Sequence, residues 1–152
     1  MPLASVRGAT TCPANEPDAV TRATQELMAA LCRANPAITP SSALAFIFTV
    51  TPDLDAAFPA AAARGLGYHE TSLLGAVEAA VPGAPSRCIR VLAFYETTET
   101  GEAGRATHGT PVYLHEAAAL RPDLGGPPRA GGPCRGSEAP VSEMGAGEGG
   151  CR

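Results

Sequence analysis

Arg87-Cys88-Ile89-Arg90-Val91-Leu92-Ala93-Phe94-Tyr95 is the run that most limits what this chain can become. It is β-branched and aromatic and lies between Pro85-Ser86 and Thr97-Thr98, which predicts a strand. Split by the strand period of two, one face carries Cys88, Arg90, Leu92 and Phe94, and the other carries Arg87, Ile89, Val91, Ala93 and Tyr95. Both faces are mostly apolar, so the strand is expected inside a sheet with Arg90 in the middle of a buried stripe. A buried guanidinium needs a partner, because an unpaired buried charge costs several kcal/mol or more, about the scale of a domain's whole stability. That partner is either an internal carboxylate or the negative charge of a bound ligand.

The other strong apolar run is Leu44-Ala45-Phe46-Ile47-Phe48-Thr49-Val50-Thr51, expected as a central strand buried on both faces. Between the two runs, Tyr68 to Leu74 reads as a third strand. Gly75 to Val81 then follows, and Pro82-Gly83 turns the chain into the Arg90 strand. Glu78 is the only charge between Glu70 and Arg87, which makes it a candidate partner for Arg90 or for a ligand hydroxyl.

Ahead of these, Ser5 to Thr11 is a further β-like run, with Arg7 beside Gly8. Asn15 to Ala34 has helical spacing, with Val20, Thr24, Leu27 and Leu31 in one stripe, Asn15 as cap, and Glu16 and Asp18 in the first turn. Asn35-Pro36 ends it. Pro59 to Arg64 predicts a short Ala-rich helix. Thr97 to Pro111, rich in Gly and Thr, is expected to be a mobile loop, and order resumes at Val112-Tyr113-Leu114. From Gly125 to Arg152 the chain holds nine of its 17 glycines and four of its 15 prolines with almost no large apolar side chains. Such a composition predicts a disordered tail, 125–152, after one domain over 1–124.

Composition narrows the chemistry. All 11 basic residues are Arg and none is Lys, which removes Schiff-base and phosphate-loop lysines and leaves the group best suited to bidentate carboxylates. A net charge of -4 without a basic run gives no nucleic-acid signature. The five cysteines form no CxxC pair, and His69, His108 and His115 show no metal spacing. No phosphate-binding glycine fingerprint, HExxH or GxSxG occurs, so neither a metal nor a cofactor is expected. With no signal peptide and no apolar run of spanning length, the expectation is a cytoplasmic protein without membrane contact. What remains is a set of arginines in apolar or Gly-adjacent places, a lone Glu and Tyr113: a site for a polycarboxylate.

Five stretches then fall in order: Val6-Arg7-Gly8-Ala9-Thr10-Thr11, Thr51-Pro52-Asp53-Leu54-Asp55-Ala56-Ala57-Phe58-Pro59-Ala60, Arg87-Cys88-Ile89-Arg90-Val91, Val112-Tyr113-Leu114 and Leu120-Arg121-Pro122-Asp123-Leu124. In order and spacing, from Val6 to Leu124, the chain resembles the monofunctional chorismate mutases of the small trimeric α/β-barrel type. The resemblance implies an α+β fold: a mixed sheet of about five strands under one long helix, three copies forming a pseudo-α/β-barrel. It implies an isomerase of phenylalanine and tyrosine biosynthesis that turns chorismate into prephenate by an intramolecular Claisen rearrangement, with no cofactor.

Carried over position by position, Arg90 bonds the ether oxygen and a carboxylate, and Glu78 accepts from the ring hydroxyl. Arg7 and Tyr113 hold carboxylates, and Leu74, Gly75, Ala76 and Val77 line the pocket. Phe58, Ala60 and Arg64 come from a neighbouring subunit, and Arg121 lies near the mouth. Two positions depart from the family. Ala61 stands where a Lys is frequent, which implies a raised KM, and Gly75 stands where a Cys is frequent. Two other readings fit less of this pattern. A trimeric imine deaminase of similar architecture leaves the set of Arg7, Arg90 and Glu78 unexplained. A non-catalytic trimeric binding protein for an aromatic-pathway carboxylate has only Ala61 and Gly75 in its favour.

Overall fold

The computed structural model describes residues 2–99 and 107–124; the tail 125–152 and residues 100–106 of the expected loop lie outside the described residues. The elements run β1 (Leu3–Thr11), α1 (Pro17–Ala34), β2 (Ala43–Val50), α2 (Pro59–Gly65), β3 (Ser72–Val77), β4 (Cys88–Glu96), β5 (Thr107–His108) and β6 (Val112–Tyr113), followed by a 3-10 helix at His115–Leu120. The fold is α+β with a mixed sheet in the order β3-β2-β4-β1-β5, and β6 also pairs with β1. β4, the Arg90 strand, is interior and antiparallel to both β1 and β2, while β3 lies parallel to β2. The sheet has six strands rather than five, because two two-residue strands follow one another along β1.

One face of the sheet makes the core. The stripe of α1 buries Val20, Leu27, Met28 and Leu31 completely against a sheet face that includes Phe46, Phe48, Ile89 and Val91. Each such side chain contributes roughly 1.5–3 kcal/mol, so this interface dominates the apolar stabilisation. Gly8 allows the close approach: a Cβ there would lie 3.1 Å from Leu27 Cδ1 and 3.2 Å from the Val112 carbonyl oxygen. The closest neighbours of Gly8 are thus α1 and β6.

The other face is open, which corrects the expectation of strands buried on both sides. Leu92 is 37% exposed and Leu44 45%, and Ile47, Thr49 and Phe94 are half-buried. Among the described residues nothing buries this face fully.

Two further expectations shift. Asn15 does not cap α1; the cap position is Glu16, without a side-chain hydrogen bond. The Asn15 side chain is instead used across the sequence. Its Oδ1 accepts from the backbone N–H groups of Asp55 and Ala56, and its Nδ2 donates to Asp55 Oδ1. The third strand begins at Ser72 rather than Tyr68, because Tyr68 is a buried core side chain whose ring stands 4.9 Å from that of Phe46. Among the described residues no helix is long and apolar enough to cross a membrane.

Two polar clamps hold the ends of the site-bearing strands. Buried Asn35, past the end of α1, donates to the carbonyls of Leu31 (2.8 Å) and Thr110 (2.9 Å) and accepts from the Thr110 N–H (2.7 Å). Asp53 accepts from the Thr51 hydroxyl and from the Arg87 N–H at 2.9 Å, fixing the turn into β4, where Arg87 has a left-handed φ of 47°. The Thr51 hydroxyl, helped by the Arg87 N–H, holds the Asp53 carboxyl below its ordinary value despite some desolvation.

Asn35→Ala leaves the Thr110 groups unpaired and is expected to cost about 1–3 kcal/mol, read as a lower Tm. A lowered carboxyl contributes stability above the ordinary aspartate range and loses it as pH falls through that range. Asp53→Asn is therefore expected to lower Tm at neutral pH and to flatten the further loss of Tm below about pH 4. Parallel acid limbs in parent and variant would show that the Asp53 carboxylate does not carry this stability.

Candidate active site

Strand register gathers the functional side chains on the open face. Tyr113, Ala9, Arg90, Thr49 and Ala76 form one row across β6, β1, β4, β2 and β3. Arg7, Leu92, Ile47 and Leu74 form the next row. The row spacing of two residues puts Arg7 diagonally beside Arg90, which is why two sequence-distant guanidinium groups converge.

Around them is a cavity of about 450 Å³ lined by Arg7, Arg90, Tyr113 and Arg121 together with Thr49, Ile47, Leu92 and Leu120. A larger cavity of about 660 Å³ lies along the side of α1, and some of its polar groups already pair with one another. There His115 Nε2 meets Glu26 at 3.1 Å and Arg87 Nε donates to the Cys12 carbonyl. The smaller cavity is the better candidate, because it brings three arginines and a tyrosine together.

Glu78 provides the internal partner for Arg90. Its Oε1 lies 2.9 Å from Arg90 Nε, and the Glu78 side chain is only 16% exposed while that of Arg90 is 43% exposed. The N–H of that buried Nε is not aimed at the oxygen, so the contact is Coulombic rather than a directed hydrogen bond. The directed bond to Glu78 Oε1 comes from the Thr49 hydroxyl at 2.6 Å, while the Glu78 N–H donates to the Val50 carbonyl at 2.9 Å. Arg90 is thus half-open rather than buried, and it lines the cavity.

Arg7 makes no ion pair among the described residues. Arg121 is held by Asp123 through Nε–Oδ1 and Nη2–Oδ2 contacts of 2.9 and 2.8 Å. Burial pushes the Cys88 thiol up, the neighbouring Arg90 partly opposes this, and Glu78 adds to it. Cys88 therefore stays a neutral packing group beside the pair.

The remaining expected residues separate. Leu74 and Ala76 share the Arg90 face, whereas Gly75 and Val77 alternate to the opposite one, where Gly75 falls in register with Phe48. A side chain at Gly75 would therefore start away from Glu78. Phe58, Ala60 and Arg64 are on α2 or at its start, outside the cavity lining, and Phe58 is 80% exposed. Sequence reasoning missed Thr49. Its signal was weak: one hydroxyl within the apolar run Ala45–Val50.

The arrangement offers cations for carboxylates, a phenol, and one carboxylate ready to accept a hydrogen bond. The comparisons agree with that chemistry. The family profile described as chorismate mutase type I matches residues 3–124. The chain is similar to chorismate mutase AroH of Thermus thermophilus, with 46% identity over 119 residues covering 78% of this chain and 93% of the relative. It is similar to chorismate mutase AroH of Bacillus subtilis (strain 168), with 31% identity covering 82% and 94%. Among solved structures it is similar to a chorismate mutase from Clostridium thermocellum, with a TM-score of 0.68 and 38% identity, covering 76% of this chain and 98% of that one. An open sheet face that gathers Arg7, Arg90 and Tyr113 about one cavity, joined to these matches, places the chain in the chorismate mutase type I family.

Proposed function

We propose that the chain converts chorismate to prephenate by holding the compact conformer of its substrate and stabilising the charge that separates as it rearranges. The chain is an isomerase of its family. In the rearrangement the ether C–O bond breaks while a C–C bond forms within one molecule. No proton moves and no covalent intermediate forms, so positioning and electrostatics supply the rate.

The observation that carries this reading is that Arg90, paired with Glu78, lines one cavity together with Arg7 and Tyr113. Arg90 keeps its Nε against Glu78 and offers its outer N–H groups to the ether oxygen, where negative charge grows, and to a carboxylate. Glu78 accepts from the ring hydroxyl and faces the positive side of the separating charge. Arg7 and Tyr113 hold carboxylates, and Arg121 guards the mouth. Leu74, Gly75, Ala76 and Val77 supply strand backbone at the rim of the site.

The assembly proposed is a homotrimer with the sites between subunits. Its support is the uncovered apolar face, with Leu74 60% exposed and Leu92 37%, and the exposure of Phe58 away from the cavity of its own chain. Phe58, Ala60 and Arg64 then complete a neighbour's site. The catalytic unit is residues 1–124, a reading supported by the span of the family match.

The test is loss of chorismate absorbance with prephenate appearing, beside the mass of the protein in solution. Turnover by a species of three copies is expected; a folded protein without turnover would overturn the function, and an active monomer would overturn the shared site. Ala61 lies exposed on α2. Ala61→Lys is expected to lower KM with little change in kcat, because it restores a peripheral cation for substrate capture. An unchanged KM would show that the site already compensates for Ala61.

A further inference from the structure

We propose that Thr49 is a positioning residue of this site, fixing the Glu78 carboxylate so that Oε1 braces Arg90 and Oε2 is left for the substrate's ring hydroxyl. This rests on the roles given to Arg90 and Glu78 above.

Three observations carry it. Thr49 is the register partner of Arg90 on one side and of Ala76 on the other, so its hydroxyl stands between β4 and the end of β3, where Glu78 follows. Its Oγ1 donates to Glu78 Oε1 at 2.6 Å, within the short range of hydrogen bonds to an ionised acceptor. Arg90 Nε lies 2.9 Å from the same oxygen without a directed bond. A Coulombic contact tolerates rotation; a hydroxyl bond does not. Among the described residues Thr49 supplies the only side-chain hydrogen bond to Glu78, and Oε2 has none. Thr49 therefore sets which oxygen faces Arg90 and, through that contact, where the outer guanidinium nitrogens point.

A misoriented pair loses transition-state stabilisation more than substrate affinity, because Arg7 and Tyr113 still hold carboxylates when Arg90 is poorly aimed. The experiment measures kcat and KM for the parent, Thr49→Val, Thr49→Ser, Glu78→Ala and the Thr49→Val/Glu78→Ala pair. Valine is isosteric with threonine and favoured in strands. Thr49→Val is expected to lower kcat about tenfold or more, the factor that a hydrogen bond to a charged group is worth, with a smaller change in KM. Thr49→Ser, which restores the hydroxyl, should recover most of the loss. In the Glu78→Ala background Thr49→Val should cost less than about twofold, since residues acting as one unit are not additive.

An unchanged kcat for Thr49→Val would overturn the proposal, as would equal losses in both backgrounds or no recovery with serine. Thr49→Ala in the same two backgrounds gives the same comparison if valine prevents folding. A folded parent without turnover would instead overturn the function itself, which keeps the two failures apart.

Discussion

The site depends on one ion pair. Arg90 sits in the interior strand of the sheet with its side chain half-open, and the mostly buried Glu78 carboxylate meets it at 2.9 Å. Such a pair is poor evidence for stability, since desolvation offsets much of the attraction. Its position is better explained by chemistry. Glu78 meets the guanidinium at Nε while Arg90 lines a cavity, so a counter-charge is in place before a ligand arrives. A preorganised cation needs no reorganisation when charge develops.

The sheet divides its work between two faces. The α1 face carries the core, with Leu27, Met28, Leu31, Phe46, Phe48 and Ile89 buried to about the last atom. The opposite face carries Arg7, Arg90, Thr49 and Tyr113 in two adjacent rows, with apolar Ile47, Leu92 and Leu74 between and beside them. Because pairing in β1, β2 and β4 is continuous across Arg90, these side chains inherit the rigidity of the sheet. A slip of one residue would send Arg90 into the core and Val91 to the cavity, so the packing of α1 also enforces the register of the site.

Much of this was legible from residue order. The β4 run, the α1 stripe and the short Ala-rich helix follow from period and turn chemistry, and Arg7, Arg90 and Glu78 stood out as lone charges in apolar surroundings. The errors have physical causes. Burial on both faces was read from apolarity, but among the described residues Leu92 stays exposed and Ile47 half-buried. Tyr68 was read into a strand from its β preference, yet it serves as a plug against Phe46. Asn15 was read as a cap, but its amide is engaged by Asp55 and Ala56, forty residues on in the chain. Thr49 was passed over because one hydroxyl in an apolar run has no meaning until register places Glu78 beside it.

The role proposed for Arg90 is to lower the barrier by its positive charge, beyond holding the substrate. The most direct measurement is the turnover rate of Arg90→Ala at saturating chorismate, with folding and mass confirmed against the parent. A fall of about 10²–10³ or more at saturation is expected, because the lost interaction is strongest in the transition state. A saturated rate within a few-fold of the parent, with only KM raised, would contradict it and reduce Arg90 to a binding residue.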